Sequence, residues 1–213
     1  MSDIGANSDQ SIRYDSSAAD GTGENERHSI QTYVSDMLAL ERHIAQPLQR
    51  QIDLEETKKF AAALTCTSTI KSLNDIHITA LQQCLDQLGG HPASPVKSAW
   101  SSLLGVGAAA IDSVRKTKVS KNLRDDYTAL NLAAVSYTML YTTAVGLGDT
   151  TVADLAKRHL SDYAKVIMQI NQIIPDVVLR ELREDGETVQ AGAAELVRQT
   201  ANEIWRNQSD MSI

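Results

Sequence analysis

An all-α chain, built mainly from long antiparallel helices, is the fold class predicted by three observations. Apolar residues recur at spacings of three and four over stretches far longer than a few turns, the period of a helix with one core-facing stripe. Aromatics make up only 4% of the 213 residues, while Ala, Leu, Ile, Gln and Thr are plentiful, a composition that favours helix over sheet. The periodic stretches end on glycine pairs, Gly89-Gly90 and Gly146-Leu147-Gly148-Asp149, where a left-handed residue terminates a helix at low steric cost. With 42% apolar residues and this length, the chain can bury the core of one domain flanked by tails.

Residues 1 to 28 are rich in Ser, Asp, Gly, Asn and Ala and offer little to bury, so they read as a disordered or adaptable tail. A first helix is expected over about 30 to 51, with Ser29 as its N-cap and Pro47 bending it or fraying its last turn. Asp53 should cap a second, long helix over about 54 to 88, with Glu55 and Glu56 in the first turn where negative charge suits the macrodipole. A weaker helix follows at about 95 to 117, with Trp100, Leu103, Leu104, Ala108, Ile111 and Val114 on its apolar face. The basic cluster from Arg115 to Lys121 reads as a solvated turn. The third long helix spans about 121 to 146 and turns Leu130, Ala133, Tyr137, Leu140, Ala144 and Leu147 inward. The fourth follows the Asp149-Thr150-Thr151 cap and runs to Ile174, where Pro175 should stop it. A last amphipathic helix, about 187 to 206, carries Val189, Leu196, Val197, Thr200 and Ile204 on one side and should pack on the bundle or on a partner subunit. These spans divide the chain into a tail (1 to 28), a helical bundle (29 to 182) and a C-terminal helix and tail (183 to 213).

The net charge of -7 argues against nucleic-acid binding, which needs a basic face to neutralise phosphates, and against an anionic membrane surface. No apolar run approaches the roughly 18 residues of a membrane span, and the first 28 residues lack a secretion signal. Cys66 and Cys84 fall on one helical pattern, about 27 Å apart at the usual rise, too far to pair with each other. Buried reduced thiols and a cytoplasmic location are expected. No nucleophile elbow, P-loop or dinucleotide fingerprint is present.

Two polar breaks interrupt the apolar stripes. Ile70, Leu73, His77, Leu81, Cys84 and Leu88 place an imidazole mid-stripe on the second helix; Val34, Leu38, Glu41, Ile44 and Leu48 do the same with a carboxylate on the first. A buried charge must be paired, hydrogen-bonded or metal-bound. The fourth stripe, read as Leu155, His159, Asp162, Val166, Ile170 and Ile173, adds a second carboxylate and a further histidine. Tyr127, Tyr137, Tyr141 and Tyr163 read as core aromatics whose hydroxyls find partners.

Certain residue runs carry a resemblance. They are Leu-x-x-x-Leu-x-x-Leu-Gly-Gly at 81 to 90, preceded by His77; Tyr137-x-x-Leu140-x-x-x-Ala144-x-x-Leu147-Gly148-Asp149; and Leu155 with Leu160, ending at Ile173-Ile174-Pro175. In this order, over about 30 to 182, the chain resembles the ferritin-like bacterial family of the YciE/YciF type, whose members are often stress-induced. The resemblance implies a ferritin-like four-helix bundle, with additional helices between the second and third rods and at the C-terminus. It also implies the address of a di-iron site, which takes a Glu from each of two helices and Glu-x-x-His from each of the other two. Glu41 and His77 match two of those positions, and Asp162 offers a shorter carboxylate at a third. Asn74 and Ala133 stand where further carboxylates are expected, Lys165 where a histidine could be, and His159 is an outside candidate.

The metal-ligand set implied by the resemblance is therefore Glu41, His77 and Asp162, for iron or manganese. Because two carboxylates replace about four, the preferred expectation is a non-catalytic structural or interaction protein with a vestigial site and no cofactor. It would be a homodimer or higher homo-oligomer, with the terminal extensions available to a protein partner. The alternative is a di-iron or single-metal protein handling oxygen, peroxide or iron.

Overall fold

The computed structural model describes the backbone of residues 16–90 and 118–209, and side chains over 24–90 and 118–206. Among the described residues there are six helices and no strand: α1 (Ser16–Asp53), α2 (Glu55–Lys58), α3 (Ala61–Gln87), α4 (Val119–Gly146), α5 (Thr150–Glu184) and α6 (Ala193–Ser209). Four long rods form the predicted bundle. Helix α1 packs against α3 and α4, α5 packs against the same two, and α3 lies diagonally from α4. One end gathers Arg27, Leu88, Leu147 and Thr150. The other joins Gln51 to Asp126 and Ser120 to Glu181. Helices α3 and α4 therefore run in the same direction, and the connection from Gly90 to Lys118 joins opposite ends of the bundle. That single long crossover is the connectivity of ferritin-like bundles. The helix expected at 95 to 117 lies outside the described residues, as do Arg115, Lys116 and Thr117 of the basic cluster beside it. The rest of that cluster, expected as a solvated turn, opens α4, with Lys118 as its N-cap residue and Lys121 exposed in its first turn.

The core is a continuous apolar column from Ile30 and Val34 through Leu81, Leu130 and Leu140 to Ile170 and Val177. The glycine stops behave as expected: Gly89 and Gly148 adopt φ of 72° and 75°. Gly90 N–H donates to the Leu85 carbonyl at 2.9 Å, and a Cβ on Gly90 would come within 2.5 Å of Leu85 Cδ1. Asp149 caps α5 by accepting from Val152 N–H at 2.9 Å. No helix among the described residues is long and apolar enough to cross a membrane.

Several boundaries differ from expectation, each for a tertiary reason. Helix α1 begins at Ser16, inside the stretch read as a tail, and Ser29 is an interior residue whose hydroxyl donates to the Asn25 carbonyl rather than capping. Arg27 and Gln31 hold this helix in place by donating to the Leu88 carbonyl at 3.0 and 2.5 Å, so α1 closes the C-terminal end of α3. Helix α1 also continues through Pro47 to Asp53. The expected long second helix is broken: Phe60, at φ −111° and ψ 86°, leaves the helical region and buries its ring. The Asp53 side chain, expected to cap that helix, instead accepts from Gln49.

Pro175 does not stop α5, which runs on to Glu184. The extension is repaid by contacts that no local rule foresees. Arg180 donates to the Lys59 carbonyl at 2.7 Å and stacks 4.4 Å over the Phe60 ring. Glu181, buried, accepts from the Ser120 N–H at 2.9 Å and the Ser120 hydroxyl at 2.5 Å, satisfying an orphan donor at the start of α4. Glu181→Ala should therefore cost about 1–2 kcal/mol, the worth of a helix cap. A lowered urea midpoint with unchanged helicity by circular dichroism is the expected reading, and an unchanged midpoint would show the contact to be idle.

The C-terminal helix starts at Ala193, later than expected, and Val189 precedes it. It attaches to α5 by a polar edge. Asn202 accepts from Gln172 at 3.2 Å, and Arg198 donates to Asp176 at 2.5 Å. Both cysteines are free and buried; burial raises the Cys66 thiol to about 12 and the Cys84 thiol to about 11, with the Asp126 and Asp149 charges adding to each.

Candidate functional site

The two polar breaks meet. Halfway along the bundle, α1 contributes Glu41, α3 Asn74 and His77, α4 Tyr137, and α5 His159 and Tyr163; all six are buried. The 3/4 periodicity of each rod turns these side chains inward at one level, so a single carboxylate sits between four helices.

Glu41 has two donors on each oxygen. Oε1 accepts from the Tyr137 hydroxyl at 2.5 Å and lies 3.2 Å from His77 Nδ1. Oε2 accepts from Asn74 Nδ2 at 2.5 Å and from the Tyr163 hydroxyl. The same Asn74 nitrogen donates to the Glu41 main-chain carbonyl at 2.9 Å. An ionised carboxylate offers about four lone-pair sites, and all four are taken. Only an amide nitrogen, never an amide oxygen, can face the carboxylate, so the Asn74 orientation follows from the network.

Proton positions follow in turn. Tyr137 gives its one proton to Glu41, so its oxygen is free to accept, and His159 Nδ1, 3.0 Å away, must be the donor. His159 is held neutral: burial, with repulsion from His77 and Arg158, lowers its imidazole to about 3. Burial first and the Glu41 charge second raise both the Tyr137 and Tyr163 phenols well above their ordinary value, so both keep the protons they donate. The rings are packed as tightly as the polar atoms. His77 stacks on His159 with centroids 3.8 Å apart and an interplanar angle of 14°, and Tyr163 meets the His77 ring edge-on at 4.7 Å.

Of the residues expected to ligate, Glu41 and His77 are brought together. Asp162 stands at the rim with a 33% exposed side chain, its Oδ2 3.5 Å from His77 Nε2 and its Oδ1 3.4 Å from Lys165. His77 Nε2 and Asn74 Oδ1 are buried without a hydrogen-bond partner. Ala133 is fully buried and has no ligating atom. His159, an outside candidate in the sequence, is a full member of the cluster. Tyr137 and Tyr163 were legible only as core aromatics, yet they supply half the donors on Glu41.

A di-iron centre does not fit these residues. It needs several carboxylates to neutralise and bridge two hard cations, whereas the one buried carboxylate here is saturated by N–H and O–H groups. Among the described residues, no group of three or more His, Cys, Asp or Glu side chains is placed to hold a metal ion. The arrangement ties side chains from α3, α4 and α5 to the one carboxylate on α1.

Three comparisons place the chain among known proteins. No curated protein matches it. A protein from Xanthomonas campestris pv. campestris, known from a crystal structure, superposes with a TM-score of 0.62 at 15% identity, covering 76% of this chain and 99% of that one. At that identity the likeness shows a shared fold. The family model described as a domain of unknown function, DUF892, matches residues 30–183, which take in α1 from Ile30 onward, α3, α4, all but the last residue of α5, and every residue of the Glu41 cluster. The chain belongs to the DUF892 family.

Proposed function

We propose that this chain is a non-catalytic structural and interaction module of the ferritin-like, YciE/YciF type, in which a hydrogen-bonded cluster occupies the place of the metal site. The carrying observation is the saturation of Glu41: a cation could approach only by displacing donors from Tyr137, Tyr163, Asn74 and His77. Asn74 Nδ2 would keep the Glu41 main-chain carbonyl, but the two phenol hydroxyls and His77 Nδ1 are bonded to no other acceptor, so displacement would leave these buried donors unpaired, at about 1–3 kcal/mol each. The role implied by the family resemblance is cytoplasmic and stress-related, and the module would act through contacts with other chains, a second copy of itself first among them.

The test is metal analysis of protein expressed with added iron and manganese and purified without chelator. The expected content is well below one ion per chain. Stoichiometric loading near the two ions of a ferritin-like centre would overturn the reading.

One observation favours a second reading, a single divalent ion. His77 Nε2 has no partner and faces Asp162 Oδ2 across 3.5 Å, a spacing that one ion could bridge. Two protein ligands fall short of the three or four that hold zinc or iron firmly. Loading of one ion per chain that disappears in His77→Ala would establish it.

A further inference from the structure

The Glu41 cluster holds chemistry that its hydrogen bonds do not use at rest. Two buried phenols, Tyr137 and Tyr163, aim their O–H groups at one carboxylate, with ring centroids 6.1 Å apart. A phenol that loses an electron becomes a strong acid. Where the surroundings offer no base, that oxidation leaves a cation in the core, and an isolated buried charge is costly. Around Tyr137 the base is already in place. Its proton lies on a 2.5 Å bond to Glu41 Oε1, so it can cross as the electron leaves, and the cluster passes from one negative charge to none. At rest, burial and the Glu41 charge hold this phenol well above its ordinary value, so the proton is present to be moved.

The two phenols are not equivalent. Once its own proton has gone, the Tyr137 oxygen still accepts from His159 Nδ1 at 3.0 Å and from the newly protonated Glu41. The Tyr163 oxygen has Asn74 Nδ2 at 3.5 Å, but that nitrogen already serves the Glu41 side chain and main chain. The step at Tyr137 leaves the other donors in place, since Asn74 and Tyr163 keep Glu41 Oε2. The route outward is short. The Tyr137 and His77 ring centroids are 5.9 Å apart, and His77 Nε2 lies 3.5 Å from Asp162, whose side chain is 33% exposed. An electron can tunnel across such a layer to an oxidant that never enters the core.

We propose that Tyr137 is a redox-active phenol that gives one electron to a diffusible organic peroxyl radical while its proton passes to Glu41. The O–H bond of Tyr137 breaks and an O–H bond forms on Glu41 Oε1. The peroxyl radical takes the electron and a proton from solvent and leaves as the hydroperoxide, while the phenoxyl radical stays on Tyr137. A one-electron reductant of the thiol or ascorbate class resets the cluster, and the proton returns from Glu41 to the phenol oxygen. The inference goes beyond the structural reading of the cluster. It makes the four-helix junction a stoichiometric trap for one oxidising equivalent, and metal content has no bearing on the step.

The experiment uses the full chain, photolysed in aerated buffer with a water-soluble azo initiator as the source of alkylperoxyl radicals and then frozen for electron paramagnetic resonance. A phenoxyl spectrum of one fixed ring geometry is expected, with a coupling to an exchangeable proton that disappears in deuterium oxide. Tyr137→Phe should lose that spectrum while keeping its helicity by circular dichroism. Tyr141→Phe and Trp205→Phe, each changing a partly or largely exposed aromatic outside the cluster, should retain it. A wild-type chain that gives no phenoxyl spectrum would overturn the proposal. So would a spectrum that survives Tyr137→Phe, or one that lacks the exchangeable coupling.

Discussion

Glu41→Ala should lose about 4 kcal/mol of stability, roughly a quarter or more of what a domain of this kind possesses. The cost has two parts. A buried side chain is deleted, leaving a void at the point where four helices meet. More importantly, the Tyr137 and Tyr163 hydroxyls, the Asn74 amide and His77 Nδ1 lose their common acceptor inside a dry core. Glu41→Gln keeps the volume but turns an amide N–H toward donors, so it should be nearly as damaging. Asp162→Ala, at the half-exposed rim, should cost under about 1 kcal/mol. Urea denaturation followed by far-UV circular dichroism ranks the three. A loss below about 1.5 kcal/mol for Glu41→Ala would mean that the cluster is decorative rather than structural.

Stability should also fall as pH rises from about 4 to about 7, because of Asp126. Burial raises this carboxyl from 3.8 to about 7; the Gln51 hydrogen bond opposes the shift, and the Asp125 charge adds to it. A folded-state value above the unfolded one means that the folded chain keeps a proton the unfolded chain has released. The resulting stabilisation is complete below about pH 4, declines across the interval, and is gone above about pH 7, with a total on the order of 4 kcal/mol. Geometry agrees. Gln51 Nε2 donates to Asp126 Oδ1 at 3.0 Å, while Asp126 Oδ2 and Gln51 Oε1 are both buried without partners. A proton on Oδ2 would give that atom a donor for the amide oxygen of the same pair. Asp126→Asn mimics the protonated acid, so it should flatten this part of the profile and exceed wild type in urea midpoint at pH 8. A wild-type midpoint that is constant from pH 4 to 8 would refute the assignment.

The long rods and their stops were legible because helix periodicity and glycine chemistry are local. Glu41 and His77 were legible for the same reason: each interrupts an otherwise apolar stripe. The fourth stripe was misread by one residue. Between His159 and Val166, a step of three then four selects Asp162, and a step of four then three selects Tyr163; both obey helical spacing, and only the packed bundle chooses Tyr163. The carboxylate thus went to the rim and a phenol to the core. Pro175 misled in the opposite sense, since tertiary contacts such as Arg180 on Phe60 and Glu181 on Ser120 outweigh a lost backbone hydrogen bond. The break at Phe60 has neither glycine nor proline to announce it.

The cluster also bears on how sequences of this kind can change. Asn74→Glu alone would bring a second carboxylate against Glu41 with no cation between them, and it would strip Glu41 of its amide donor. Tyr137→Glu or Tyr163→Glu alone would do the same from another side. Each of these three steps toward a metal-binding bundle passes through a less stable intermediate, so the hydrogen-bonded state resists replacement one donor at a time. Four helices sharing one carboxylate act as an evolutionary ratchet.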